Sequence, residues 1–309
     1  MQEAIVKIEG LSHKYTTSWA IRDINMTIGR RGIVGLLGSN GAGKSTTMNI
    51  LCGVLNQTAG KVYINGVNMR EARKQAKKEI GFLPQNPPLH MDLTVDEYLN
   101  YCAGLRLMPT GKIKAAVKEA KERCGIDHFS HRLIRNLSGG YRQRTGIAQA
   151  IVHKPKLVVL DEPTNGLDPN QITEVRALIK EIAEDRAVVF SSHILSEVQI
   201  LCKEIKMIES GRIVFSDSME AFNNYLDPHS LLVHLENPPS AGELMNISGV
   251  NKVDFLTDRQ VRLYFNGDQE ISERVVAASV QHGWRLREIS IDKTALDETF
   301  RQLSTRQSS

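Results

Sequence analysis

Residues 32–46, GIVGLLGSNGAGKST, run from an apolar stretch into glycines, a Lys and two hydroxyls. From Gly38 to Ser45 the spacing is G-x-x-x-x-G-K-[ST]. Glycines at these places let successive backbone N–H groups wrap a chain of phosphates, and a helix starting near Lys44 adds its positive end. The expected cradle is Gly38, Ser39, Asn40, Gly41, Ala42 and Gly43. Lys44 is expected to neutralise β- and γ-phosphate charge, the Ser45 hydroxyl to ligate Mg2+ and the Thr46 N–H to reach the α-phosphate. A second reactive group ends the apolar run KLVVLDEP, 156–163. Burying Asp161 and Glu162 side by side is costly unless something pairs with them. The carboxyl end of a parallel strand is where ligands sit in α/β folds. Asp161 fits an acid that holds Mg2+, and Glu162 a group that polarises an attacking water. The implied chemistry is in-line attack of water on a γ-phosphorus, where positioning and charge stabilisation carry most of the catalysis.

A third stretch, NLSGGYRQR (136–144), offers the Ser138 hydroxyl, the glycine N–H groups up to Gly140 and a helix start, all suited to an anion. No phosphate-loop Lys lies near it in sequence. Alone it reads as half a site.

LSGGYRQR (137–144) followed by LVVLDEP (157–163) resembles the nucleotide-binding subunit of an ATP-binding cassette (ABC) transporter, and residues 3–215 carry the resemblance. IGFLPQ (80–85) is similar to the strand and loop that end in the family's glutamine, here Gln85. TNGLDP (164–169) resembles the D-loop, with Asp168, and SSHIL (191–195) the switch loop, with His193. KYTTSWAI (14–21) resembles the loop whose aromatic stacks on adenine, here Tyr15, with Trp19 as a competitor. The resemblance implies ATP and Mg2+ as ligands, Gln85 touching Mg2+ and the attacking water, His193 touching the γ-phosphate and Glu162 as general base. It implies that Ser138 and Gly140 complete the site of an opposite subunit, so that ATP joins a homodimer or a heterodimer with a paralogue. It also implies separate transmembrane subunits, export as the direction, and a peripheral place on the cytoplasmic face of the membrane. One position departs: Tyr141 stands where the family's common form has Gln.

The elements that must position these residues follow from hydropathy. Near-continuous Val, Ile and Leu runs at 4–8, 32–38, 61–64, 80–84, 156–163, 187–193 and 205–215 predict strands, several buried on both faces. Helical patterns at 45–55, 71–79, 94–107, 112–124, 140–152, 170–185 and 195–201 lie between them. The alternation predicts an α/β phosphate-loop domain with a largely parallel sheet over residues 1–220. Residues 86–150 have helices and no strand, and read as an inserted helical subdomain. After the polar segment 216–230 the pattern changes. Strand-like pieces at 231–235, 250–256, 260–266 and 285–291, with a helix at 270–282, predict a small α+β domain over 221–309. Ile271, Val275, Val276 and Val280 are its expected packed face. TALDETFRQL (294–303) resembles the closing helix of exporter-type members of the family.

Other features bound the function. The net charge of +4 gives no reason to expect nucleic acid. Cys52, Cys102, Cys124 and Cys202 form no metal-ligand spacing and read as buried thiols of a reducing compartment. The N-terminus has no signal-peptide pattern, and no apolar run is long enough to span a bilayer. Basic runs at 70–79 and 112–123 carry mixed signs and read as solvated helix faces. NKVD (251–254) matches a guanine-reading motif but lies far beyond the phosphate-loop sheet, and is taken as a polar turn. Two other functions compete: a soluble ABC ATPase acting on ribosomes or DNA, and a nucleotide-binding regulator without turnover. The first lacks a second cassette, a long coiled coil or zinc fingers. The second is opposed by Glu162.

Overall fold

A computed structural model describes residues 4–225, 230–265 and 270–291. It divides into two compact units, Met1–Met219 and Glu220–Ser309. The segment 294–303 lies outside the described residues.

Among its described residues the first unit holds ten strands: β1 (Val6–Tyr15), β2 (Ser18–Ile28), β3 (Gly32–Leu37), β4 (Ala59–Ile64), β5 (Val67–Asn68), β6 (Ile80–Leu83), β7 (Leu157–Asp161), β8 (Ala187–Ser192), β9 (Glu204–Glu209) and β10 (Arg212–Ser218). Its helices are α1 (Lys44–Leu51), α2 (Arg73–Lys78), α3 (Val95–Leu105), α4 (Thr110–Arg123), α5 (Gly139–Ile151), α6 (Pro169–Ala183) and α7 (Leu195–Leu201). The central sheet runs β10-β9-β3-β8-β7-β6, with β9, β3, β8, β7 and β6 parallel and β10 antiparallel at the edge. β7 and β8 are buried at every position, as their Val and Leu runs demand. Register sets the site. Leu37 pairs with Ser192, and Asp161 with Ser191. The loops after β3, β7 and β8 therefore leave the same sheet edge together.

β2 differs from expectation. Its sequence has no apolar run. Ile24, Met26 and Ile28 are buried while Asn25 and Thr27 between them are exposed. It covers the core with one face only, in the antiparallel sheet β2-β1-β4-β5. The single run expected at 205–215 is a hairpin instead. Ser210 and Gly211 sit at φ 48° and 77°, a two-residue turn of the kind that joins β9 to β10.

Helices α3, α4 and α5 fill the segment read as a helical subdomain. α3 starts at a capping box, with the Glu97 N–H donating to Thr94 Oγ1 and the Thr94 N–H donating back to Glu97 Oε2. Lys121 is not on a solvated face. Its buried ammonium pairs with Asp96 at 2.6 Å and Asp127 at 3.2 Å. Among the described residues, no helix is long and apolar enough to cross a membrane.

The second unit begins in α8 (Met219–Tyr225) and holds β11 (Ser230–Leu235), α9 (Ala241–Met245), β12 (Val250–Phe255), β13 (Gln260–Phe265), α10 (Ile271–His282) and β14 (Leu286–Ile291). The strands form an antiparallel sheet in the order β12-β13-β11-β14. Ile271 and Val275 enter its core with Leu231, Val233 and Leu263. Val276 and Val280 do not: they are 39% and 80% exposed, and Ser279 takes the inner position, its hydroxyl accepting from the Leu286 N–H at 3.1 Å. The buried face thus runs 271, 275 and 279, a strict i+4 stripe. Residues 251–254 are part of β12 rather than a turn, and Lys252 pairs with Asp254 at 2.8 Å.

Candidate nucleotide site

The loop from Gly38 to Gly43 joins β3 to α1. Gly43 stands at φ 110°, and a Cβ there would lie 2.6 Å from Ile21 Cγ2, so backbone conformation and the approach of β2 both require glycine. Gly41 is also at positive φ, but a Cβ on it would meet nothing within 4 Å. Its outer side faces open space, where a phosphate fits. α1 starts without a side-chain cap and without an acid in its first turn, which leaves its first N–H groups to an anion. Lys44 is 5% exposed, and Nζ donates to the carbonyls of Gly38 at 2.8 Å and Ser39 at 3.0 Å. Burial lowers its pKa from the ordinary value, against the opposing pull of Glu162, Asp161 and Glu209. Ser39 turns away from the loop's mouth. Its hydroxyl donates to Glu209 Oε1 at 2.7 Å, which anchors the loop to the end of β9.

Facing the loop is Glu162, 8% exposed. Oε1 lies 3.1 Å from His193 Nδ1 and 3.9 Å from Lys44 Nζ. Oε2 accepts from Gln85 Nε2 at 3.1 Å and from Asn165 Nδ2 at 3.4 Å. Its backbone is left-handed, at φ 47°, a conformation that costs a non-glycine residue roughly 1–3 kcal/mol and persists only where the surroundings enforce it. Ser191 supplies part of that enforcement. Its hydroxyl accepts from the Glu162 N–H at 2.9 Å and donates to Asp161 Oδ1 at 2.7 Å. One side chain of β8 so fixes both acids at the end of β7.

Asn40, Gly41, Gly43, Lys44, Ser45, Thr46, Gln85, Glu162 and His193 line one cleft of about 540 Å³, with Ala20 and Asn165. Gly38, Ala42 and Asp161 are buried. Tyr15 is half exposed at the end of β1, stacked edge-on to His13 at 4.7 Å, and is not on the cleft wall. Trp19 sits between Lys14 and Arg22, whose cations lie over its ring. Ser138, Gly140 and Asp168 are also outside the cleft. Asp168 caps α6, accepting from the N–H groups of Asn170 and Gln171 at 3.0 Å.

The turn before α5 presents Ser138 as an exposed N-cap whose hydroxyl makes no capping bond. Its glycines have different reasons. A Cβ on Gly140 would lie 2.3 Å from Gln171 Oε1, so the flexible Gln171 side chain of α6 would have to move aside; one on Gly139 would meet nothing. Tyr141 points away from this turn. Its ring packs edge-on against Phe129 at 4.6 Å and lies under the Arg144 guanidinium at 5.5 Å. The unusual fifth residue is therefore a packing residue of the helical part.

Asn165, Ser191 and Glu209 escaped the sequence reading as functional positions. Asn165 had a signal, its place inside TNGLDP three residues after Glu162. Ser191 had a weak one, a hydroxyl closing an otherwise apolar strand.

The donors suit Mg2+. A hydroxyl, one buried carboxylate and an amide oxygen are hard ligands, too few for an all-protein cage but enough for a cation that keeps waters and phosphate oxygens. No group of three or more His, Cys, Asp or Glu that could hold a metal occurs among the described residues.

A parallel sheet with this loop after β3 and an acidic pair after β7 defines a phosphate-loop nucleotide hydrolase. The family model described as ABC transporter matches residues 21–165. Over 222 residues the chain is 39% identical to YdbJ of Bacillus subtilis (strain 168), an uncharacterized ABC transporter ATP-binding protein, covering 71% of each chain. It is 36% identical over 212 residues to the bacitracin transport ATP-binding protein BcrA of Bacillus licheniformis, covering 68% of each. The solved structure of cbiO1 from Clostridium perfringens, part of the ABC transporter complex cbiONQ, matches with a TM-score of 0.66 at 28% identity, over 72% of this chain and 92% of that one. The chain belongs to the ABC transporter ATP-binding proteins. It binds and hydrolyses ATP as a subunit of such a transporter.

Proposed function

We propose that this subunit powers export through separate membrane subunits, from the cytoplasmic face, by closing on a second copy or a paralogue around ATP. The observation that carries the hydrolytic part is the buried Glu162 carboxylate, held between His193, Gln85 and Lys44 and facing the phosphate loop. Glu162 takes the proton of the attacking water. Lys44 neutralises phosphate charge, Gln85 orients the water and His193 contacts the γ-phosphate. Ser45, Gln85 and Asp161 would hold Mg2+, which when bound would supply positive charge against the phosphates. Tyr15 is free to stack on adenine. Ser138 and Gly140, away from this cleft, present donors to the nucleotide of the opposite subunit, and Asp168, the cap of α6, is assigned with them to the nucleotide-binding set. Closure is then coupled to ATP, and the membrane subunits respond to closure. A transport role is supported by the relative whose name assigns it to bacitracin transport. A separate membrane subunit is supported by the relatives named as ATP-binding proteins of ABC transporters.

Sedimentation of the purified chain with and without ATP and Mg2+, alongside nucleotide binding, tests this reading. ATP should shift the chain to a dimer, and Lys44→Ala should lose nucleotide affinity. Unchanged affinity in Lys44→Ala would overturn the assignment of the loop. Co-purification with ribosomes or DNA instead of an integral-membrane protein would overturn the transport role.

A further inference from the structure

Behind the hydrolytic residues lies a second buried acid, Glu197 of α7, 4% exposed. Its Oε2 accepts from Ser192 Oγ at 2.8 Å and from Thr164 Oγ1 at 3.0 Å. Its Oε1 accepts from Arg176 of α6 at 3.2 Å. Ser192 immediately precedes His193, and Thr164 follows Glu162 by two residues. Arg176 belongs to the helix capped by Asp168. One carboxylate therefore ties together the segments that carry the base, the switch histidine and the loop leading to Asp168. Glu162, Thr164, His193 and Glu197 all reach the wall of one cavity of about 210 Å³.

We propose that Glu197 is a positioning residue that sets the Glu162–His193 geometry by holding Thr164 and Ser192 on a single carboxylate oxygen. This rests on the reading of Glu162 and His193 as hydrolytic groups. A buried ion pair is a poor source of stability, since apolar side chains of similar volume often do as well. It is a good source of geometry, because each hydroxyl has a single proton to donate and both are drawn to the same oxygen. Ser192 is also fixed from the other side, its Oγ accepting from the Ile194 N–H at 3.0 Å, so the residues on both sides of His193 are held. Without the Glu197 bonds, Ser191 still holds the Glu162 backbone to β8, but Thr164 and Ser192 lose their common anchor, and the 3.1 Å contact between Glu162 and His193 is less tightly set. Displacements near 1 Å cost up to about a hundredfold in rate when they fall on catalytic groups.

The test uses hydroxyl deletions, which leave the Glu197–Arg176 pair intact. Thr164→Val should lower kcat about tenfold with the ATP dissociation constant within about twofold, since the phosphate loop is untouched. Thr164→Ser should restore turnover. Ser192→Ala should lower kcat similarly, and the two changes together should cost less than their product, because both act through one oxygen. The idea fails if Thr164→Val turns over normally, if affinity and kcat fall together, or if the two losses multiply. Glu162→Gln is measured beside them: normal turnover there overturns the hydrolytic reading itself, whatever Thr164→Val does.

Discussion

Glu162 Oε1 lies 3.1 Å from His193 Nδ1 and 3.9 Å from Lys44 Nζ, so one buried carboxylate oxygen faces both the switch histidine and the phosphate-loop lysine. The other oxygen receives two amides, from Gln85 and Asn165. A carboxylate so surrounded can accept a proton from water without leaving its place. Glu162→Gln keeps the shape and removes the acceptor. Nucleotide affinity should stay within about twofold, while phosphate release at saturating ATP falls by roughly 10²–10⁴, the usual worth of a general base. Turnover near wild type would remove Glu162 from that role.

His153 gives a pH dependence of stability. Its Nε2 lies 3.0 Å from the Ile80 carbonyl, and burial, reinforced by the nearby charge of Arg106, lowers its pKa from 6.5 to about 4. Above pH 6.5 the imidazole is neutral in both folded and unfolded chains and has no effect on the balance. Below it the unfolded chain gains a proton that the folded chain refuses until about pH 4. Stability therefore falls across that window, by up to ~3 kcal/mol at about 1.4 kcal/mol per pKa unit. His153→Gln can still donate to the Ile80 carbonyl and does not titrate. Its denaturant midpoint should fall less steeply between pH 6.5 and 4 than that of wild type. Parallel curves would show that other groups set the acid sensitivity.

Much of this architecture was legible because it rests on local pattern. The fully buried β7 and β8 need unbroken apolar runs, and the phosphate loop needs its glycines and Lys at fixed spacing. β2 hid because a strand covered on one face alternates and never forms a run. Val276 and Val280 misled because hydropathy marks a helix as amphipathic without saying which apolar residue meets the sheet; there the interior took Ser279, which caps a backbone N–H. The contacts that fix the site were the least legible. Ser39 meets Glu209 across 170 residues and Ser191 meets Asp161 across 30, and no short-range pattern encodes such pairs. The position of Asp168 was visible, but its capping of α6 depended on where that helix began.

The thiols should report burial directly. Cys124 and Cys202 are buried, and burial pushes both up to about 12. At pH 8 that leaves a thiolate fraction of about 10⁻⁴, and only the thiolate reacts with an alkylating agent. Iodoacetamide on the native protein should therefore label the half-buried Cys102 first. Cys124 and Cys202 should react only after denaturation, which mass spectrometry of the labelled peptides would show. Early labelling of either would mean that its part of the core opens in the native state.

Ser138 tests the dimer most sharply, because it lies outside the cleft that holds Lys44. It is exposed, it stands as the N-cap of α5 and its hydroxyl accepts no capping bond from the helix, so its oxygen is not engaged by the α5 N–H groups. Gly139 beside it has open space where a Cβ would stand. Arg at position 138 would fill that space with a long charged side chain while leaving the phosphate loop and Glu162 intact. Ser138→Arg should bind ATP within about twofold of wild type, since binding of a single subunit draws on Lys44 and the α1 N-terminus. It should fail to dimerise with ATP and should lose turnover with it. Sedimentation of Ser138→Arg in the Glu162→Gln background, where ATP persists, isolates the step. A dimer there would show that the Ser-Gly-Gly turn approaches something other than the nucleotide of a second subunit.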